Sequence, residues 1–172
     1  MKSFYIIMFA IFPIFAFAQD NSQTTPCSSP ESAQMDFWVG EWNASWQDNE
    51  GNTKTGTNTI SKILGGCALQ ENFSTSDGSF VGKSFSVYNT RKGYWEQTWV
   101  DNSGAFLSFT GGPSGDKVIL SREVNTKDGR HIMQRMIFSD IKPDAFTWDW
   151  ESSTDDGTTW NLNWRINYTR KN

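Results

Sequence analysis

The segment that decides the fold is residues 145–169, which reads AFTWDWESSTDDGTTWNLNWRINYT. Apolar and polar residues alternate in two runs of this segment. The apolar positions are Phe146, Trp148 and Trp150 in the first run, and Trp160, Leu162, Trp164, Ile166 and Tyr168 in the second. A period of two is typical of a strand with one buried face. Asp156-Gly157 between the runs supplies the positive φ that hairpin turns need. The segment therefore predicts an antiparallel hairpin of two-faced strands.

The same pattern continues through the rest of the chain, where Gly, Asn and Asp clusters separate short alternating runs. We predict ten strands, over residues 40–48, 53–64, 67–75, 80–89, 94–101, 105–110, 117–125, 130–140, 145–152 and 158–170. A short helix is predicted only over residues 31–38. The connections are too short for helical crossovers, so neighbouring strands should pair antiparallel. Closure of such a meander removes its exposed edges. We therefore predict an all-β fold, a single up-and-down β-barrel over residues 35–172, with a two-sheet sandwich as the alternative.

The N-terminus has the features of a targeting segment. Lys2 precedes an apolar run over residues 4–17, and Ala16-Phe17-Ala18 matches the small-x-small cleavage pattern. The alternative is a membrane anchor, but the run is short for one and Pro13 interrupts it. We predict a signal peptide over residues 1–18, cut after Ala18, and a flexible polar arm over residues 19–34. The protein is expected to be secreted or periplasmic, with no membrane partner after cleavage.

Cys27 and Cys67 are the two cysteines of the chain. An oxidising compartment favours their pairing, and the bridge would tie the N-terminal arm to the barrel. Two buried free thiols are the alternative.

Composition excludes several classes of protein. Nine Trp, thirteen Phe and four Tyr among 172 residues are too many aromatic side chains for a disordered chain. A net charge of −4 argues against a nucleic-acid partner, because phosphate binding needs a basic surface. Two cysteines and the single histidine, His131, cannot supply a four-ligand Cys/His zinc site. We therefore expect no metal, and the aromatic side chains should fill or line the barrel.

Three charged residues fall in phase with apolar neighbours on different predicted strands: Glu71, Arg122 and Arg135. A charge inside a barrel is costly unless it is paired or hydrated, so this phase indicates either an internal ion pair or a ligand cavity with polar groups. A bulge that turns these charges to water is the alternative. The candidate ligand-binding residues are Glu71, Trp99, Arg122, Arg135, Trp148 and Trp160.

Function remains open between three classes at this point. The first is a binding module that holds a small, partly apolar ligand in the barrel. The second is an interaction barrel with a filled lumen and an apolar outer patch. The third is a hydrolase or isomerase in which Glu71 or Asp101 acts as general base. We expect binding without catalysis.

Several short motifs, in order, carry a family resemblance: FWVGEW at residues 37–42, GGC at 65–67, QEN at 70–72, QTWVDN at 97–102 and WESS at 150–153, followed by Asp156-Gly157 and Thr159-Trp160. Over residues 35–170 the chain resembles a family of exported, tryptophan-rich, calycin-like proteins of unknown function, distantly similar to lipocalins and nitrobindins. The resemblance implies a barrel with a cavity.

The resemblance also suggests roles for single residues. Gly40-Glu41-Trp42 is similar to the lipocalin Gly-x-Trp signature, in which the Trp closes the base of the barrel, so Trp42 and its neighbour Trp38 are predicted to form a structural plug. The haem ligand of nitrobindins is a histidine close to the C-terminus. The predicted final strand has none, because His131 lies two strands earlier. No haem or other cofactor is therefore expected.

Overall fold

The computed structural model describes residues 27–171. The predicted signal peptide and the first part of the predicted arm lie outside these residues. The described chain forms ten strands: β1 (Gly40–Gln47), β2 (Thr53–Ile63), β3 (Ala68–Thr75), β4 (Val81–Asn89), β5 (Tyr94–Asp101), β6 (Phe106–Ser114), β7 (Lys117–Asn125), β8 (His131–Ser139), β9 (Ala145–Ser153) and β10 (Asn161–Arg170). Three short 3-10 helices, Pro30–Ala33, Asp36–Trp38 and Leu64–Gly66, complete the secondary structure.

Each strand pairs antiparallel with its neighbours in sequence, and β1 closes the sheet by pairing with β10. In the closing pair, Trp42 lies opposite Arg170 and Ser45 lies opposite Asn167. The predicted up-and-down barrel is thus confirmed, and the two-sheet sandwich is wrong. Closure leaves no sheet edge exposed, and this is the physical reason for which a closed barrel was predicted.

Two local features differ from the predicted elements. The short N-terminal helix is present as two 3-10 turns, and Ser29 caps the first by accepting a hydrogen bond from the Ser32 backbone N–H. In β10, the register against β9 shifts between Leu162 and Trp164. A shift of this kind reverses the face on which the preceding side chains lie.

The 3-10 turns of residues 30–38 pack against one end of the barrel, called here the closed end. Trp38 and Trp42 are both buried there, and the Trp42 Nε1–H donates to the Trp38 carbonyl at 2.8 Å. The Trp38 ring meets Phe138 edge to face, and Trp42 meets Phe146 in the same way. The two residues of the predicted plug thus lie at the closed end, where aromatic packing fills the base of the lumen.

The predicted disulfide is confirmed, because Cys27 and Cys67 are bonded to each other. The bridge joins the segment before the 3-10 turns to the β2–β3 connection at the closed end. It therefore holds the plug against the barrel, and it fits an oxidising compartment. Within residues 27–171, no helix has the length and apolar character that a membrane crossing requires.

Candidate functional site

A cavity of about 210 Å³ lies inside the barrel between the closed end and the opposite, open end. Its wall is mainly aromatic and aliphatic. The lining residues are Trp38, Glu71, Phe73, Phe80, Gln97, Trp99, Asp101, Leu107, Phe109, Met136, Phe138, Trp148, Trp150, Trp164, Ile166 and Tyr168. A cavity of 150 Å³ is large enough to bind benzene. The volume therefore suits a molecule of about one or two rings.

The room for this cavity comes from β4, whose inward positions carry Gly82, Ser84 and Ser86. All three are buried. Glycine has no side chain and serine a small one, so the middle of the lumen stays free. The Trp99 ring lies directly over Gly82, where an added Cβ would clash with the Trp99 Cζ2 atom. Glycine at position 82 is thus what allows Trp99 to lie flat against the wall.

Glu71 is the acidic group in the depth of the cavity, and it is 8% exposed. Its carboxyl accepts hydrogen bonds from Ser84 Oγ at 2.6 Å and from Asn58 Nδ2 at 2.7 Å. Burial raises the pKa of Glu71, and these hydrogen bonds only partly oppose that rise. Glu71 has no cationic partner among the described residues, so the carboxyl is stabilised by neutral dipoles rather than by an ion pair.

Two more polar groups lie on the cavity wall near Glu71. Gln97 is 3% exposed and donates from Nε2 to Ser86 Oγ at 3.0 Å. The Tyr168 hydroxyl is close to Asn58 Nδ2, at 3.4 Å, and its ring stacks on Phe146. Burial and the nearby Glu71 charge raise the pKa of Tyr168, so its hydroxyl keeps its proton. The deep half of the cavity therefore presents hydrogen-bonding groups without a net positive charge.

The open end of the cavity is bordered by Phe80, Trp99 and Asp101. Phe80 stacks on Trp99, and the Trp99 Nε1–H donates to Asp101 Oδ2 at 2.8 Å. Burial acts to raise the pKa of Asp101, but hydrogen bonds from Ser103 and Trp99 outweigh it and lower that pKa. Asp101 is thus held as an anion by its own loop, which is a structural use of the carboxylate and a poor setting for a general base.

Of the six candidate ligand-binding residues, Glu71, Trp99 and Trp148 line the cavity. Arg122 points into the barrel, with its guanidinium carbon 5.7 Å from the Phe109 ring centre. Its Nη1 has no hydrogen-bond partner within residues 27–171, and burial lowers the pKa of the guanidinium. Arg122 is therefore next to the cavity without forming its wall.

Arg135 and Trp160 do not face the lumen, and the prediction that they do is wrong. On β8 the lining residues are Met136 and Phe138, so Arg135 belongs to the opposite phase and points outwards. It pairs there with Glu151 at 2.6 Å, and Trp160 lies flat against it with the guanidinium 3.8 Å from the ring centre. The register shift in β10 explains why Trp160 leaves the face of Trp164.

His131 also lies on the outer surface, where Nδ1 is 2.8 Å from Asp156 and Nε2 is 3.4 Å from Glu123. The hydrogen bond with Asp156, then that with Glu123, raises the pKa of His131. The part of the chain that the structure describes contains no group of three or more His, Cys, Asp or Glu side chains placed to hold a metal ion.

Gln97, Trp164 and Phe109 are cavity residues that the sequence analysis did not select. A signal for Gln97 exists, because it is in phase with Trp95 and Trp99 on β5. Phe109 shows no such signal, since its strand is interrupted by Gly111 and Gly112 and the alternation is hard to follow.

A separate row of exposed apolar side chains runs over the outer face of β4, β5 and β6. It consists of Val81, Phe85, Val87, Val100 and Phe106. An interaction barrel was expected to combine such a patch with a filled lumen, but the lumen here holds a cavity.

The sequence matches no family model and no curated protein. Among solved structures, the barrel is similar to one described as "Structure of EF1p2_mFAP2b bound to DFHBI", with 14% identity and a TM-score of 0.41. The match covers 82% of this chain and 99% of that chain. A likeness this low carries no argument about function, and the fold assignment rests on the strand pairing itself.

Proposed function

We propose that the protein is an exported barrel that binds one small, mainly apolar molecule in its lumen. The observation that carries the proposal is the aromatic-walled cavity of about 210 Å³ with buried polar groups at its deep end. Concave, mostly apolar sites with a few convergent polar groups are typical of small-molecule binding. The apolar run of residues 4–17 and the Cys27–Cys67 bridge support export.

The wall and the depth of the site have different roles in this proposal. Trp99, Trp148 and the neighbouring aromatic rings supply contact area, since large rigid rings give much apolar surface at low entropic cost. Glu71 supplies an oriented polar group whose hydrogen bonds are already fixed by Ser84 and Asn58. Arg122, on β7, places a cationic group beside the Phe109 ring of the cavity wall.

The test is isothermal titration calorimetry with ligands of increasing size: naphthalene and indole, then palmitate, then protoporphyrin. We expect the bicyclic molecules to bind and the two larger ones to fail, because the cavity holds about one or two rings. Leu107→Trp places a ring in the cavity and should weaken bicyclic binding by about tenfold or more.

Ser108→Trp is the matched control, because residue 108 is exposed on the outer face of the same strand. It should leave the affinity unchanged. Absence of binding by every ligand, or equal affinities in the Leu107→Trp and Ser108→Trp variants, would show that the lumen is not a binding site.

A further inference from the structure

The side chains that line the cavity carry negative charge and no positive charge. Glu71 and Asp101 are the two carboxylic acids of the wall, and none of the described lining residues is Lys, Arg or His. Asp101 lies at the open end and is held as an anion by its own loop. A cavity whose ionisable groups are acidic attracts cations and disfavours anions, because its field has one sign. The lining therefore selects the charge of the ligand.

Glu71 keeps hydrogen-bonding capacity for a ligand. An ionised carboxylate has about four acceptor sites on its two oxygens. Ser84 donates to Oε2 and Asn58 donates to Oε1, so each oxygen has used one of them. Glu71 lies in the inward phase of β3, with the buried Leu69 and Phe73, and it is 8% exposed. The surface that it keeps exposed thus belongs to the lumen, where it lines the cavity.

The described chain supplies no countercharge to Glu71. Its partners are the neutral Ser84 and Asn58, and a buried carboxylate without a cation is costly. Arg122 also faces inwards, but it is on β7, four strands from β3 around the closed ring. Its guanidinium lies beside Phe109. A cation that enters the cavity would pair with Glu71 and hold its charge away from the Arg122 side.

The aromatic wall offers the second kind of contact that a buried cation needs. Phe73 is the next inward residue after Glu71 on β3, and both line the cavity with eight Trp and Phe rings and Tyr168. Aromatic faces attract ammonium groups, and the attraction grows when water is excluded. Elsewhere in this barrel a guanidinium already lies over a ring, at 3.8 Å for Arg135 on Trp160 and 4.2 Å for Arg170 on Trp42.

We propose that the ligand is a small organic cation, a primary arylalkylamine of one or two rings. Its ammonium group donates hydrogen bonds to the Glu71 carboxylate, and its ring packs against the aromatic wall. Asp101 at the open end attracts the cation into the cavity. The inference rests on the proposed function and specifies its ligand.

The test uses three probes of nearly equal size and different charge: 2-phenylethylamine (a cation), 2-phenylethanol (neutral) and phenylacetate (an anion). Affinities are measured by calorimetry at pH 8, where an alkylamine is protonated. We expect the amine to bind about tenfold or more tightly than the alcohol, since hydrogen bonds between charged groups are among the strongest in proteins. Phenylacetate should bind more weakly than the alcohol. This order is read on the wild type and needs no variant.

Glu71→Gln removes the charge and keeps the size of the side chain, so the amine and the alcohol should then bind within about twofold of each other. Affinity for 2-phenylethanol should stay close to the wild-type value, which shows that the cavity is intact. Glu41→Gln is the matched control. It removes the same charge from an exposed position on the outer face of β1, and it should keep the preference for the amine.

Equal affinities for the amine and the alcohol, tighter binding of phenylacetate, or a preference that survives Glu71→Gln would overturn the cation inference. Binding of naphthalene with failure of all three probes would also overturn it. Each of these results leaves the proposed function intact when naphthalene or indole binds. Failure of every probe and every ligand in the size series would overturn the proposed function, and the inference with it.

Discussion

Arg122 on β7 and Arg135 on β8 look alike in sequence and have opposite surroundings in the barrel. Each is in phase with apolar residues of its own strand. Arg135 faces outwards, where Glu151 pairs with it and the Trp160 ring covers it. Arg122 faces inwards onto Phe109, and its Nη1 has no partner in the described chain. Both arginines contact an aromatic ring, so the difference between them is the countercharge, which Glu151 supplies to Arg135 and which Arg122 lacks among the described residues.

The same difference between the outer and inner walls is seen for two acidic residues, Glu151 and Glu71. Glu151 receives the Arg135 guanidinium and forms an ion pair whose two side chains are 26% and 16% exposed. Glu71 receives only the neutral Ser84 and Asn58 groups. Burial without a countercharge raises the pKa of Glu71, so the inner wall favours the protonated acid. The outer wall thus neutralises charge by pairing, whereas the inner wall leaves its acid without a countercharge and raises its pKa.

The largest expected effect comes from breaking the outer pair. Arg135→Met should lower the free energy of unfolding by about 2–3 kcal/mol, between the values for exposed and fully buried ion pairs. The loss includes the contact with Trp160, which adds to the electrostatic part. Urea unfolding at pH 7 measures the effect. Arg135→Lys keeps the charge without the planar fork and should cost about 1 kcal/mol. A loss below about 0.5 kcal/mol for Arg135→Met, typical of ordinary surface changes, would contradict the role given to this pair.

An intermediate effect should appear in the pH dependence of stability. Because the pKa of Glu71 is raised above its ordinary value of 4.5 in the folded state, the unfolded chain releases this proton first as pH rises. Stability should therefore fall above pH 4.5, relative to Glu71→Gln, by up to about 1.4 kcal/mol per pH unit until the folded pKa is reached. Below pH 4.5 this loss of stability is absent.

The measurement is denaturant unfolding of the wild type and Glu71→Gln at matched pH values. Glu151→Gln is the control for removal of an acid from the outer wall, and because it keeps Glu71, its stability should still fall above pH 4.5. A wild-type stability, relative to Glu71→Gln, that stays constant or rises with pH would contradict the raised pKa of Glu71.

The smallest effect, with the opposite sign to Arg135→Met, is expected at Arg122. Arg122→Met keeps the apolar stem over Phe109 and removes a desolvated charge, so stability should stay unchanged or rise by about 1 kcal/mol. Thermal unfolding at low salt is the appropriate measurement. A loss as large as that of Arg135→Met would mean that the Arg122 charge is stabilised inside the barrel after all.

Much of the fold follows from residues that can be recognised along the chain. The alternation around Trp148 and Trp164, together with Gly-containing turns, predicts the strands, and short connections predict antiparallel pairing. The site is less predictable. Trp99 and Trp148 are correctly assigned to the wall, but Arg135 and Trp160 are not. Alternation along one strand divides its residues between two faces but does not say which face is inside the barrel. Where both faces carry apolar residues, the two assignments are equivalent.

The sequence by itself determined the number of strands, their antiparallel order and the aromatic character of the barrel, because these depend on local periodicity and on turn chemistry. Only the tertiary structure decided which charges face the lumen, how much room Gly82, Ser84 and Ser86 leave there, and which polar atoms remain unpaired. Those properties depend on the β10 register shift and on side chains from opposite walls, which closure of the barrel brings together across the lumen.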